Sequence, residues 1–75
     1  MEANQTLDAR GLNCPLPVLR TKKTLNAMPS GETLKVISTD PGSLKDMVVF
    51  CAQTGNTLLS STQNDNDFEF FIRKG

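Results

Sequence analysis

Seventy-five residues allow a single domain spanning 1–75, with a core that must be economical because a chain this short buries a small share of its surface. Eight basic and eight acidic side chains cancel, which removes the basic excess expected of a protein that binds nucleic acid or an anionic membrane. Two cysteines and no histidine fall short of the four N/S ligands of a structural zinc site and of the several bridges of a disulfide-stapled secreted scaffold, so a metal would need carboxylates or a second chain and none is expected; no cofactor is expected either.

The start, Met1 to Thr6, is polar and lacks an apolar signal-peptide core, and no run approaches a membrane span. The expectation is a cytoplasmic location with reduced thiols. Charge is unevenly spread. Residues 1 to 28 carry Arg10, Arg20, Lys22 and Lys23 against Glu2 and Asp8, a balance of +2 that leaves −2 on the remainder.

Thr6-Leu7-Asp8 before the Gly11 break reads as a short first strand. The thiol of Cys14 then stands directly ahead of Pro15 and Pro17. Proline suits the first turn of a helix, where its fixed φ fits and its missing N–H would have lacked a partner, so a helix is expected from Pro15 or Pro17 to Met28, with Asn13 or Cys14 as its cap. At a helix N-terminus the aligned peptide dipoles would favour thiolate over thiol. Val18, Thr21, Leu25 and Met28 form the buried face, widened by Leu16 and Leu19, while Arg20, Lys22 and Lys23 lie away from it. Pro29-Ser30-Gly31 ends the helix.

Thr33 to Ser38 reads as a strand, with Leu34 and Val36 on one face and Lys35 and Ile37 on the other. A second helix follows, started either by Asp40 as cap with Pro41 at the first position or by Ser43 as cap with Asp46 completing a capping box. Leu44, Met47, Val48 and Cys51 make its buried stripe, with Val49 and Phe50 at or beyond the margin, and Gly55 suits a left-handed cap. Thr57 to Ser61 is a short strand, Gln63 to Asp67 a polar turn, and Phe68, Phe70 and Ile72 the core side of a last strand whose other side includes Glu69, Phe71 and Arg73. The order βαβαββ predicts an α+β two-layer sandwich, with both helices on one face of a four-stranded mixed sheet.

The run Leu7-Asp8-Ala9-Arg10-Gly11-Leu12-Asn13-Cys14-Pro15-Leu16-Pro17 resembles the signature of the TusA/SirA/YedF-like family of small sulfur carriers, whose hallmark is Cys-Pro-x-Pro at the start of the first helix. Asp40-Pro41, the segment with Asp46 and Phe50-Cys51, and Thr54-Gly55 are similar to the family's second-helix region. The resemblance implies the same βαβαββ fold and a sulfurtransferase-type role. A cysteine desulfurase or rhodanese-like donor would load Cys14 as a persulfide, and an acceptor protein would take the sulfur onward, for tRNA thiolation or related sulfur trafficking. Many relatives carry histidine after the glycine that closes the second helix; this chain has Asn56.

The chemistry suits one accessible thiol. A second within reach would attack the persulfide by thiol exchange and release sulfide, so Cys51 is expected in the core. Gly11, Pro15 and Pro17 support the thiol turn, and the prolines also withhold N–H donors. Arg20, Lys22 and Lys23 read first as a solvated helix face and second as a steering patch for a partner. Phe50 reads as a partly exposed docking contact or a singly placed surface apolar group. The alternative function is a non-catalytic regulatory module that binds protein or RNA through the sheet, with Phe71 as its one aromatic on the outer face; a thiol oxidoreductase would want a Cys-x-x-Cys pair, which is missing. A monomer is expected, with no direct nucleic-acid or membrane contact.

Overall fold

Strict alternation in Thr33–Ser38, buried at every second residue, sets one strand of the sheet against the helices and organises its neighbours. The computed structural model describes residues 2–75, so Met1 of the polar start lies outside the described residues. The elements are β1 (Gln5–Ala9), α1 (Leu16–Asn26), β2 (Thr33–Ser38), α2 (Ser43–Thr54), β3 (Thr57–Asn64) and β4 (Asp67–Arg73). The four strands stand in the order β1-β2-β4-β3. β1 and β2 are parallel, and β4 runs antiparallel to β2 on one side and to β3 on the other. The expected α+β sandwich with a four-stranded mixed sheet is thus the fold observed.

Register explains the core. Leu7 pairs with Val36 and Val36 with Phe70, while Ala9 pairs with Ser38 and Ser38 with Phe68, so both rows lie on one face because side chains of paired residues point the same way. Leu34 and Ile72 make a third pair. These side chains pack against Leu25 of α1, against Met28 in the turn that follows because α1 stops at Asn26 rather than at Met28 as expected, and against Met47, Phe50 and Cys51 of α2. Burying each such side chain is worth roughly 1.5–3 kcal/mol, which is how a short chain keeps a stable core.

On the other face Lys35 is paired with Phe71, its ammonium 5.8 Å from the ring centroid, and bridges Glu69 at 3.4 Å. Phe71 is half-buried there and committed to a cross-strand contact.

The buried stripe of α1 is narrower than expected, and that of α2 is rotated about the helix axis. In α1 it is Pro17, Thr21 and Leu25, four residues apart, and Thr21 satisfies its buried hydroxyl by donating to the Pro17 carbonyl at 2.7 Å. Leu16 and Leu19 sit one and two residues from Pro17, about 100° and 200° around the axis, and are 42% and 53% exposed. In α2 the buried residues are Ser43, Met47, Phe50 and Cys51, while Leu44 and Val48 stay 40% and 54% exposed. The helix turns Phe50 inward because an aromatic ring has the largest apolar area to bury. Ser43 can go in with it because its hydroxyl meets that of Ser38 at 2.7 Å.

Turn chemistry accounts for the remaining boundaries. Gly55, with φ of 74°, is the left-handed cap of α2. The last hairpin is tighter than the Gln63 to Asp67 turn expected. Asp65 takes a φ of 57°, and an acidic or amide residue tolerates that conformation, so β3 runs on to Asn64 rather than stopping at Ser61.

Candidate functional site

Two parallel neighbours, β1 and β2, end at the same edge of the sheet with Ala9 opposite Ser38, so the segments leaving them meet. The first carries Cys14 and the second carries Asp40 and leads into α2. Sites at the carboxyl ends of parallel strands arise by this geometry. Gly11 makes the first turn possible: its φ of 81° is one an L side chain rarely adopts, and its N–H donates to Thr39 Oγ1 at 2.9 Å, stitching the two segments together.

Cys14 is exposed and free. Its backbone N–H donates to Asp40 Oδ2 at 3.0 Å, and its thiol donates to Asp46 Oδ2 at 3.3 Å. Cys14 lines a cleft of about 450 Å3, with Pro15 and Val18 on one side and Lys45, Asp46, Val49, Phe50 and Gln53 of α2 on the other. Asp46, Val49, Phe50 and Gln53 follow an i, i+3, i+4, i+7 spacing, the pattern of one helix face. That spacing is the sequence signal for the cleft wall, and it is masked by the buried stripe beside it.

Neither expected start of α2 is the one observed. Its N-cap is Gly42, without a side-chain cap. Asp40 instead accepts the Gly42 N–H at 3.4 Å together with the Cys14 N–H. Ser38 Oγ accepts the Asp40 N–H at 3.2 Å while meeting Ser43, so the two serines build the buried floor under Asp40. Asp46, expected as a partner of Ser43 in a capping box, serves the thiol.

The electrostatic expectation for Cys14 is reversed. Its thiol pKa is pushed up, first by the hydrogen bond to Asp46, then by removal from water and by the fields of Asp46 and Asp40. Three features explain why helix and cations do not pull it down. Helix α1 begins at Leu16 with Pro15 as N-cap, so neither Asn13 nor Cys14 caps it and the thiol stands outside the first turn. Pro15 and Pro17 have no N–H, and the Leu16 N–H is taken by the Asn13 carbonyl at 2.9 Å. Arg10 is held by Asp8, which accepts from Nε at 2.9 Å and from Nη2 at 3.0 Å; the same contacts hold the Asp8 carboxyl down at about 2.

Arg20, Lys22 and Lys23 are exposed on α1, and among the described residues none of them makes an ion pair with the thiol or any acidic group. Lys23 lies in the last turn, where a cation complements the helix dipole. Phe50, expected to be partly exposed, is 8% exposed and belongs to the core; Val49, 43% exposed, is the open apolar residue of that pair. Cys51 is buried at 3% exposure and its pKa is raised by burial. Asn56 donates to Thr54 Oγ1 at 2.8 Å and accepts the Gly75 N–H at 2.9 Å. It lies beyond the end of α2, whose last residue Thr54 is already about 12 Å along the axis from Asp46 at 1.5 Å per residue, so it ties down Gly75 instead of serving the thiol. Among the described residues no three metal-ligating side chains converge.

A family model described as sulfurtransferase TusA matches residues 5–74. The chain is 61% identical to the sulfur carrier protein TusA of Allochromatium vinosum over 71 residues, covering 95% of this chain and 93% of that protein. It is 40% identical over 75 residues to a putative sulfur carrier protein of Bacillus subtilis, with both chains covered in full. Among solved structures, the crystal structure of a SirA-like protein from Desulfitobacterium hafniense superposes with a TM-score of 0.81 at 26% identity, covering 95% of this chain and 97% of that one. Matched over nearly its whole length in sequence and in fold, this chain belongs to the TusA family of sulfur carriers.

Proposed function

We propose that this protein accepts a sulfane sulfur on Cys14 as a persulfide from a cysteine desulfurase or rhodanese-like donor, and passes it to an acceptor protein serving tRNA thiolation or a related sulfur-trafficking route in the cytoplasm. The observation that carries the reading is the contrast between the thiols: Cys14 is exposed and lines a cleft, and Cys51 is shut in the core. In the loading step Cys14 sulfur attacks the outer sulfur of the donor persulfide. One S–S bond forms as the donor's breaks, the donor leaves as a thiol, and no net oxidation occurs. With Cys51 out of reach, the persulfide has no internal thiol to resolve it.

Gly11, Pro15 and Pro17 shape the turn that presents the sulfur, and the missing proline N–H groups leave it few donors to grip. Arg20, Lys22 and Lys23 are exposed basic side chains that suit an acidic partner surface, with Val49 as the open apolar contact in the cleft and the buried Phe50 behind it. The binding-module alternative loses support from Phe71, whose ring already lies under Lys35 and so is a poor platform for a base.

Intact mass after incubation with a cysteine desulfurase, cysteine and pyridoxal phosphate tests the reading. A gain of one sulfur that disappears in Cys14→Ser is expected. No adduct from any sulfane donor would favour the binding module, and loss of two hydrogens would favour a dithiol couple.

A further inference from the structure

The contact between Cys14 and Asp46 pairs a thiol meant to react with a group that opposes its ionisation. At 3.3 Å the carboxylate can accept an S–H, but it would face a thiolate as a second anion. The two charged side chains hydrogen-bonded to Cys14 are both acidic. Asp46 and Lys45 come from α2, and both line the cleft. Asp40, from the segment before α2, holds the Cys14 N–H. Arg10 is bound to Asp8, and Arg20, Lys22 and Lys23 of α1 are turned to solvent.

We propose that Asp46 is a positioning residue that distinguishes the empty carrier from the loaded one, holding the bare Cys14 sulfur as S–H against α2 and losing that hold once a second sulfur is attached. This rests on the reading of Cys14 as a persulfide carrier. Loading converts Cys14–SH and donor–S–SH into Cys14–S–SH and donor–SH, and the ionisable S–H moves outward by one S–S bond, about 2.05 Å. The hydrogen bond that Asp46 made to Sγ then has no proton to accept there. A persulfide also ionises more readily than a thiol, so its outer sulfur is an anion repelled by Asp46 and directed toward solvent and the acceptor. The empty carrier is thereby kept quiet toward stray oxidants and toward other loaded carriers, while the loaded carrier is left reactive.

The test is the pH profile of iodoacetamide alkylation at Cys14, read by peptide mass, for the empty and the sulfur-loaded protein. In Asp46→Asn the empty carrier's midpoint should move down, with alkylation at pH 7 faster by about three- to tenfold, since each unit of midpoint is tenfold in thiolate fraction. The loaded carrier should change less than about twofold, on the same scale. Asp46→Glu should keep a raised midpoint, because it retains the carboxylate, and Asp40→Asn should move it less than Asp46→Asn. Asp46→Ser serves as a second neutral variant if Asp46→Asn proves unfolded by thermal melting. An unchanged midpoint in the neutral variants, or equal acceleration of empty and loaded forms, would overturn the proposal. Failure of every donor to load Cys14 would instead overturn the carrier reading, and the empty-carrier profile would still decide whether Asp46 holds the thiol.

Discussion

The backbone N–H of Cys14 donates to Oδ2 of Asp40 at 3.0 Å, across 26 positions of sequence. That bond, with the Ser38 hydroxyl accepting the Asp40 N–H beneath it, is what fixes the thiol turn to the segment entering α2. Asp40→Ala should therefore destabilise the protein by about 1.5–3 kcal/mol in urea denaturation, the scale of a hydrogen bond to a charged group. Faster hydrogen exchange at the Cys14 amide should accompany it. Asp40→Asn, which keeps an acceptor oxygen, should lose less. Ser38→Ala should cost about 1–3 kcal/mol by leaving buried polar partners unpaired.

Cys51 should be invisible to a thiol reagent until the protein unfolds. A disulfide-forming chromogenic reagent is expected to titrate one thiol per chain in the native state and both cysteines in denaturant. Burial raises the Cys51 pKa, so the folded state holds this proton more tightly than the unfolded chain does. Stability should be full below the unfolded thiol value of about 8.5 and fall as pH rises above it toward the raised folded value. Cys14, also raised, acts in the same direction. Cys51→Ala should flatten the alkaline decline in part, measured as the difference in urea midpoint between neutral and alkaline buffer.

Phe50 and Val49 are sequence neighbours with opposite expected effects. Phe50 is 8% exposed, and Phe50→Ala should cost about 3–5 kcal/mol, the range for removing a core aromatic. Val49 is 43% exposed at the cleft wall, and Val49→Ala should stay within about 0.5 kcal/mol of the parent stability. If the cleft seats a donor, Val49→Ala should slow sulfur loading without changing the melting temperature.

Arg20 and Lys23 separate a steering strip from a merely solvated helix face. Charge reversal to Arg20→Glu and Lys23→Glu should slow loading by the donor and remove its dependence on ionic strength, followed by stopped-flow or timed mass measurements at low and high salt. Unchanged rates would leave the three cations as surface charge, with Lys23 complementing the end of α1.

Sequence by itself determines most of this molecule's frame. The two-residue alternation of Leu34 and Val36 and of Phe68, Phe70 and Ile72, the breaks at Gly11, Pro29-Ser30-Gly31 and Gly55, and the prolines after Cys14 specify elements and their order, because period and turn chemistry are local properties. The exposure of Cys14 and the burial of Cys51 follow from the same local patterns. Helix faces were legible only to within part of a turn: Leu44 and Phe50 lie about 120° apart around α2, on opposite flanks of Met47 and Cys51, and the structure buries Phe50 together with Ser43, whose hydroxyl meets that of Ser38. The thiol's electrostatics were not legible. Asp40 and Asp46 lie 26 and 32 positions from Cys14, and their spacing before a helix suits caps as well as it suits a site. Only the parallel pairing of β1 with β2 brings them to the sulfur, where the hydrogen-bonded Asp46 carboxylate raises the thiol pKa while α1 begins beyond the thiol with prolines as its N-cap and second residue.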